Sequence, residues 1–153
     1  MFKKYLSIFR SKTSDYQHSN PAQIEKKYSY WRIRTLYSIY IGYVLFYFTR
    51  KSLTFALPLL SKKLHLSMAE LGILSTVLYL TYGVSKFFSG IVSDYVNPRY
   101  FMSAGLILTG VINIFFGFSS SLFLFAIIWG LNGIFQGWGW PPCTKQLTYW
   151  FSK

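Results

Sequence analysis

Polar and apolar positions divide the chain into a basic lead and four long apolar stretches. Residues 11–30 are mostly polar and include Pro21. Beyond them, apolar and aromatic side chains run over about 35–60, 71–92, 100–118 and 122–151. A hydrocarbon core of about 30 Å takes roughly 20 helical residues, so each stretch predicts a membrane-spanning helix. The linkers SKKLHLSMAE, SDYVNPR and SSS are short, which makes consecutive helices antiparallel neighbours. The predicted fold is therefore all-α and integral to a membrane, with four transmembrane helices. Residues 1–34 form a basic N-terminal segment and residues 35–153 a partial transmembrane bundle. Ser67 and Glu70 have capping-box spacing at the entry to the second helix.

The fourth stretch has the most unusual local sequence, GIFQGWGWPPC. Gly133 and Gly137 form a GxxxG spacing that permits close helix approach. Pro141 and Pro142 predict a kink, and the carbonyls they leave unpaired need partners on neighbouring helices or in cavity water.

Composition narrows the function classes. The 153 residues are 52% hydrophobic and 22% aromatic, with only 13% charged, a membrane profile. Sixteen Lys and Arg against four Asp and Glu give a net charge of +12. Half of those cations precede Thr35 and others lie inside apolar runs, and no RNA-binding or zinc-finger signature appears. A basic cytoplasmic edge explains the charge better than a nucleic-acid partner does. The same bias places the N-terminus in the cytoplasm, and with it the linker carrying Asp94 and Arg99. YLSIF, interrupted by Arg10, is shorter than the roughly 7–15 residues of a signal-peptide core. One cysteine and two isolated histidines, His18 and His65, form neither a disulfide framework nor a metal site. No P-loop, hydride-transfer or catalytic-triad pattern appears, so neither a cofactor nor enzymatic chemistry is expected.

The candidate chemistry lies in charges placed inside the spans. Arg50 stands about 22 Å along the first helix at 1.5 Å per residue, near the bilayer midplane. A central Arg or Lys costs about 2.5–3.5 kcal/mol on insertion scales, so it belongs in a protein interior or a watery cavity. Tyr43, Tyr47, Arg50 and Thr54 share one helical stripe. In the second helix, Ser75, Tyr79, Tyr82 and Lys86 repeat the arrangement. Two cations with no carboxylate in these spans imply an anion from outside. A guanidinium fork and an ammonium suit phosphate oxygens, and phenols can donate to them. Other readings stay open: Lys86 snorkelling to the interface, Arg50 pairing with a carboxylate beyond this chain, and tyrosines that only pack. Lys51 points about 100° away from Arg50 and is expected in a structural ion pair. Asp94 and Arg99 are expected to form a latch between helix ends.

The stretches GYVLFYFTRKS, YGVSKFFSGIVSD, NPRYFMSAGLILTG and FQGWGWPPC resemble the N-terminal part of the organophosphate:phosphate antiporter family, within the major facilitator superfamily. The resemblance is strongest to its bacterial hexose-phosphate transport and sensing members. It covers the chain from about Trp31 onward. It implies a twelve-helix fold of two halves, of which this chain is the first part, expected to be a truncated or frameshifted copy or a piece of a longer reading frame. It implies uptake of a sugar phosphate, a hexose phosphate in particular, in exchange for inorganic phosphate across the bacterial inner membrane. The alternative it implies is a hexose-phosphate sensor acting with a histidine kinase. By this resemblance Arg50 and Lys86 bind the phosphate, with a further arginine supplied by the missing C-terminal half. Tyr43, Tyr47, Tyr82 and Trp140 line the cavity. Asp94 matches the acid of the superfamily's loop motif, although Tyr95 stands where a basic residue usually follows.

Overall fold

A computed structural model describes residues 20–152, which are helical apart from short connections. The helices are α1 (Pro21–Leu64), α2 (Met68–Tyr95), α3 (Pro98–Gly117), α4 (Leu122–Gln136) and α5 (Trp140–Phe151). The basic stretch before Asn20, with His18, lies outside the described residues.

Three helical segments, Met68–Tyr95, Pro98–Gly117 and Leu122–Phe151, are long and apolar enough to cross a membrane by length and composition. The first helix is long enough as well, at 44 residues. Its tyrosines and the Arg50–Lys51 pair dilute its apolar character.

Two boundaries differ from expectation. The first helix starts at Pro21, well before the apolar stretch. Asn20 caps it by accepting from the Ala22 amide at 3.3 Å, and Pro21 sits where a missing N–H costs nothing. Its polar opening turns are held from the far end of the chain. The Tyr28 hydroxyl donates to the Trp150 carbonyl at 2.7 Å, and the Arg32 guanidinium lies 4.4 Å from the Phe151 ring centre. Asn97 and Pro98 open α3 in the same way.

The fourth stretch is two helices, and the break precedes the diproline. Gly137, Trp138 and Gly139 form the turn, while Pro141 falls in the opening turn of α5. Proline at 141 cannot donate to the Gly137 carbonyl, which instead accepts from Ser89 Oγ of α2 at 2.8 Å. The Ile134 carbonyl accepts from Ser85 Oγ. Of the two carbonyls the prolines free, that of Gly137 thus finds its partner on a neighbouring helix; the Ile134 carbonyl, which also accepts from the Gly137 amide at 3.2 Å, is not one of them.

The expected GxxxG approach is present. Gly130, Gly133 and Gly137 lie against Val77, Thr81 and Ser85 of α2, and a Cβ at Gly133 would fall 2.6 Å from the Leu78 carbonyl oxygen. Two apolar clusters hold the remaining helices. At one end, Leu53, Leu74, Leu78, Phe116, Phe125 and Trp129 are buried together, with Phe116 ring-centred 4.7 Å from both Phe125 and Trp129. Toward the other end, Phe101 stacks on Trp138 at 4.8 Å, and the buried Phe46 ring fills the space left by Gly105 and Gly139. The expected capping box closes the entry to α2: Glu70 accepts from the Ser67 amide at 2.7 Å, and Ser67 Oγ accepts from the Glu70 amide at 3.3 Å.

Candidate functional site

Between these clusters, α1, α2 and the α4–α5 break bring polar side chains onto one face. The α1 stripe forms as its spacing predicts. Tyr43 and Tyr47 meet edge to face at 5.3 Å, and the Arg50 guanidinium lies 5.3 Å from the Tyr47 ring centre. Arg50 lies closer still, at 4.2 Å, to the Tyr82 ring of α2. Lys86 Nζ is 5.7 Å from the same Tyr82 ring and 5.5 Å from Trp140 at the start of α5. Trp140 in turn meets Tyr43 at 5.4 Å. The six residues expected for the phosphate and the cavity wall therefore form one cluster, in which two cations approach a single phenol ring. Thr54 of the first stripe and Tyr79 of the second are exposed and lie outside it, and Ser75, the far member of the second, donates to the Leu71 carbonyl at 3.4 Å.

Arg50 is held by Gln136, which sequence reasoning passed over. Arg50 Nε donates to Gln136 Oε1 at 2.6 Å, and the amide nitrogen of this fully buried glutamine reaches Thr49 Oγ1 at 3.4 Å. A guanidinium has five N–H donors. Fixing it through Nε leaves the two Nη groups without a hydrogen-bond partner among the described residues, so the fork is oriented and unspent. No carboxylate meets Arg50 or Lys86 among the described residues, and the ion pair found there is Asp94–Lys145. A polar relay continues beneath: Ser52 donates to Asn113 Oδ1, and Asn113 Nδ2 reaches the Thr109 carbonyl at 2.9 Å and Asn132 Oδ1 at 3.4 Å. The signal for these residues is an amide inside an otherwise apolar run: Asn113 in the third, and Asn132 with Gln136, one turn apart, in the fourth.

The three residues expected in ion pairs or a latch take other roles. Lys51 is exposed and has no carboxylate partner among the described residues, because the turn of the helix that aims Arg50 inward points Lys51 away. Asp94 does not meet Arg99. The end of α2 exposes carbonyls that attract a cation, and Lys145 of α5 donates to the carbonyls of Ser93 at 2.6 Å and Asp94 at 2.9 Å. Its ammonium is 4.0 Å from the Asp94 carboxylate, an exposed contact worth little by itself. Arg99, across the Asn97–Pro98 turn, lies 5.7 Å from the Trp31 ring centre instead. The helix-end latch is therefore Lys145 on α2. Lys145→Met is expected to cost about 1–3 kcal/mol and to speed amide exchange selectively in the last turn of α2. Hydrogen–deuterium exchange checks this, and unchanged protection there would remove the latch.

A model of the Major Facilitator Superfamily matches residues 39–153. The chain is 55% identical over 149 residues to a probable hexose phosphate transport protein of Chlamydia trachomatis, covering 97% of this chain and 33% of that protein. It is 56% identical over 131 residues to the membrane sensor protein UhpC of Escherichia coli, covering 86% and 30%. It is 37% identical over 151 residues to the glycerol-3-phosphate transporter of Bacillus subtilis, covering 96% and 34%. The chain spans about a third of the length of these curated relatives. No solved structure matches it.

Proposed function

Because the chain belongs to the Major Facilitator Superfamily, we propose that it supplies the phosphate-gripping wall of a membrane carrier that takes up a hexose phosphate in exchange for inorganic phosphate. The observation that carries this reading is the approach of Arg50 and Lys86 to the Tyr82 ring with no carboxylate beside them among the described residues. Charges at membrane depth persist when they serve a ligand or a pair. Arg50 offers its fork to two phosphoryl oxygens, and Lys86 adds a second positive charge. Tyr43, Tyr47 and Trp140 give the sugar an amphipathic wall. The phosphate ester stays intact throughout.

Exchange across a bilayer takes two bundles rocking about a central site, so this wall works against an opposing half that brings further phosphate contacts. The basic bias of the N-terminal segment orients it toward the cytoplasm, in a bacterial inner membrane. The experiment is exchange by the longest reading frame containing this chain, reconstituted in phosphate-loaded vesicles. Labelled hexose phosphate should enter only when phosphate is inside. The identity with a membrane sensor protein supports a second reading, a hexose-phosphate receptor that signals to a membrane kinase. Saturable binding with no exchange would select that reading over transport.

Gln136 carries a separate expectation. Gln136→Leu leaves the guanidinium unanchored and should weaken hexose-phosphate binding about tenfold, the worth of one hydrogen bond to a charged group, at unchanged helix content. Equilibrium binding with circular dichroism checks it, and undiminished affinity would deny Gln136 its role in aiming Arg50.

A further inference from the structure

A second cationic cleft lies away from the Arg50 cluster, at the end of the bundle where α1 leaves its polar opening turns and α3 begins. It has a volume of about 370 Å³ and is walled by α1, α3 and the first turns of α5. Two guanidinium groups converge at its mouth on one indole: Arg34 lies 5.2 Å and Arg99 5.7 Å from the Trp31 ring centre. No carboxylate lines the cleft among the described residues. The positive end of α3 opens on the same mouth.

Thr35 lines the cleft too and is only 6% exposed. Its hydroxyl is buried with no hydrogen-bond partner among the described residues. Ser38, one turn on, satisfies itself on the Arg34 carbonyl at 2.9 Å, so the orphaned Thr35 hydroxyl is a local exception. A buried polar group without a partner is costly and calls for a ligand or an ordered water. Deeper in, the lining turns apolar with Ile39, Met102 and Leu106. Because α1 and α3 run parallel, both carry their cationic residues at the mouth and their apolar ones about 5–10 Å further into the bundle.

We propose that this cleft is a binding site for an anionic phospholipid, with the headgroup phosphate on Arg34, Arg99 and Thr35 and the start of an acyl chain against Met102 and Leu106. The graded lining favours an amphiphile over a free phosphate ester, which would leave the apolar floor unfilled.

Native mass spectrometry of the purified chain, released from micelles holding equal phosphatidylglycerol and phosphatidylcholine, tests this. The wild type should retain one phosphatidylglycerol in preference to phosphatidylcholine. Arg34→Gln with Arg99→Gln should cut that retention about tenfold, and Thr35→Val, which keeps shape and charge, about threefold. Lys62→Gln with Lys63→Gln, the same charge change at the opposite end of α1, should leave it intact, as should Arg50→Gln. Equal retention of the two lipids overturns the proposal, as does an equal loss in the Lys62 and Lys63 variant, which would mean bulk charge attraction. Stripping of the lipid by millimolar inorganic phosphate overturns it in favour of a soluble phosphate ligand. If the double arginine variant does not fold, undiminished retention in Thr35→Val overturns the proposal without it.

Discussion

Arg50→Gln should abolish measurable hexose-phosphate binding while leaving the helical bundle intact. The side chain contributes little to the fold: among the described residues its one hydrogen bond is to Gln136, and its guanidinium otherwise lies over the rings of Tyr47 and Tyr82. Toward a phosphoryl group the same fork offers two charge-assisted hydrogen bonds of about 1.5–3 kcal/mol each, so its loss corresponds to roughly a hundredfold or more in affinity. Arg50→Lys keeps the charge but not the planar fork or the Nε contact, and should fall between wild type and Arg50→Gln. Binding of radiolabelled hexose phosphate to the reconstituted protein separates the three. If Arg50→Lys binds as well as wild type, charge alone suffices and the oriented fork has no special part.

The second large effect concerns packing. In Gly133→Ala the added Cβ would run into Thr81 Oγ1 and stand 2.6 Å from the Leu78 carbonyl oxygen. The hydroxyl can rotate, but the backbone oxygen cannot, so α4 has to move off α2. Overpacking of this kind costs about 1–3 kcal/mol, and Gly133→Leu should cost more. The displacement also carries Gln136, one turn further along α4, away from Arg50. Gly83 has nothing within 4 Å of the corresponding position. Gly83→Ala should therefore be neutral or stabilising by up to about 1 kcal/mol through helix propensity alone. Unfolding by denaturing detergent, followed by circular dichroism, compares the two; equal stability of the two alanine variants would deny the close approach.

Repeating patterns made much of this molecule legible from its sequence. Four-and-three spacing placed Tyr43, Tyr47 and Arg50 on one stripe and Tyr82 with Lys86 on another, and the two stripes do face each other. The glycine spacing marked the α2–α4 contact, and Ser67 with Glu70 marked a helix start. Features resting on a single residue were harder to see. The long opening of α1 was hidden because its residues are polar, and only the Asn20–Pro21 pair announced a cap. The diproline marks the break before α5, which falls in the turn ahead of it because Pro141 has no N–H for the Gly137 carbonyl, while Gly137 and Gly139 keep ordinary helical φ. Gln136 and Lys145 act on groups 86 and about 50 residues away, and no local pattern encodes such a pairing. For Asp94, nearness in sequence suggested Arg99, but the carbonyls at the end of α2 attracted a lysine from another helix.

The proposed function stands on Arg50 and Lys86 together recognising the phosphoryl group of the ligand. The most direct measurement is the phosphorus resonance of a hexose phosphate titrated with the reconstituted protein. The wild type should broaden it, inorganic phosphate should reverse the broadening, and the unphosphorylated hexose at the same concentration should not. In the Arg50→Gln, Lys86→Gln variant the line should stay sharp. Broadening that persists in that variant, or that yields to the free hexose but not to phosphate, would contradict the claim.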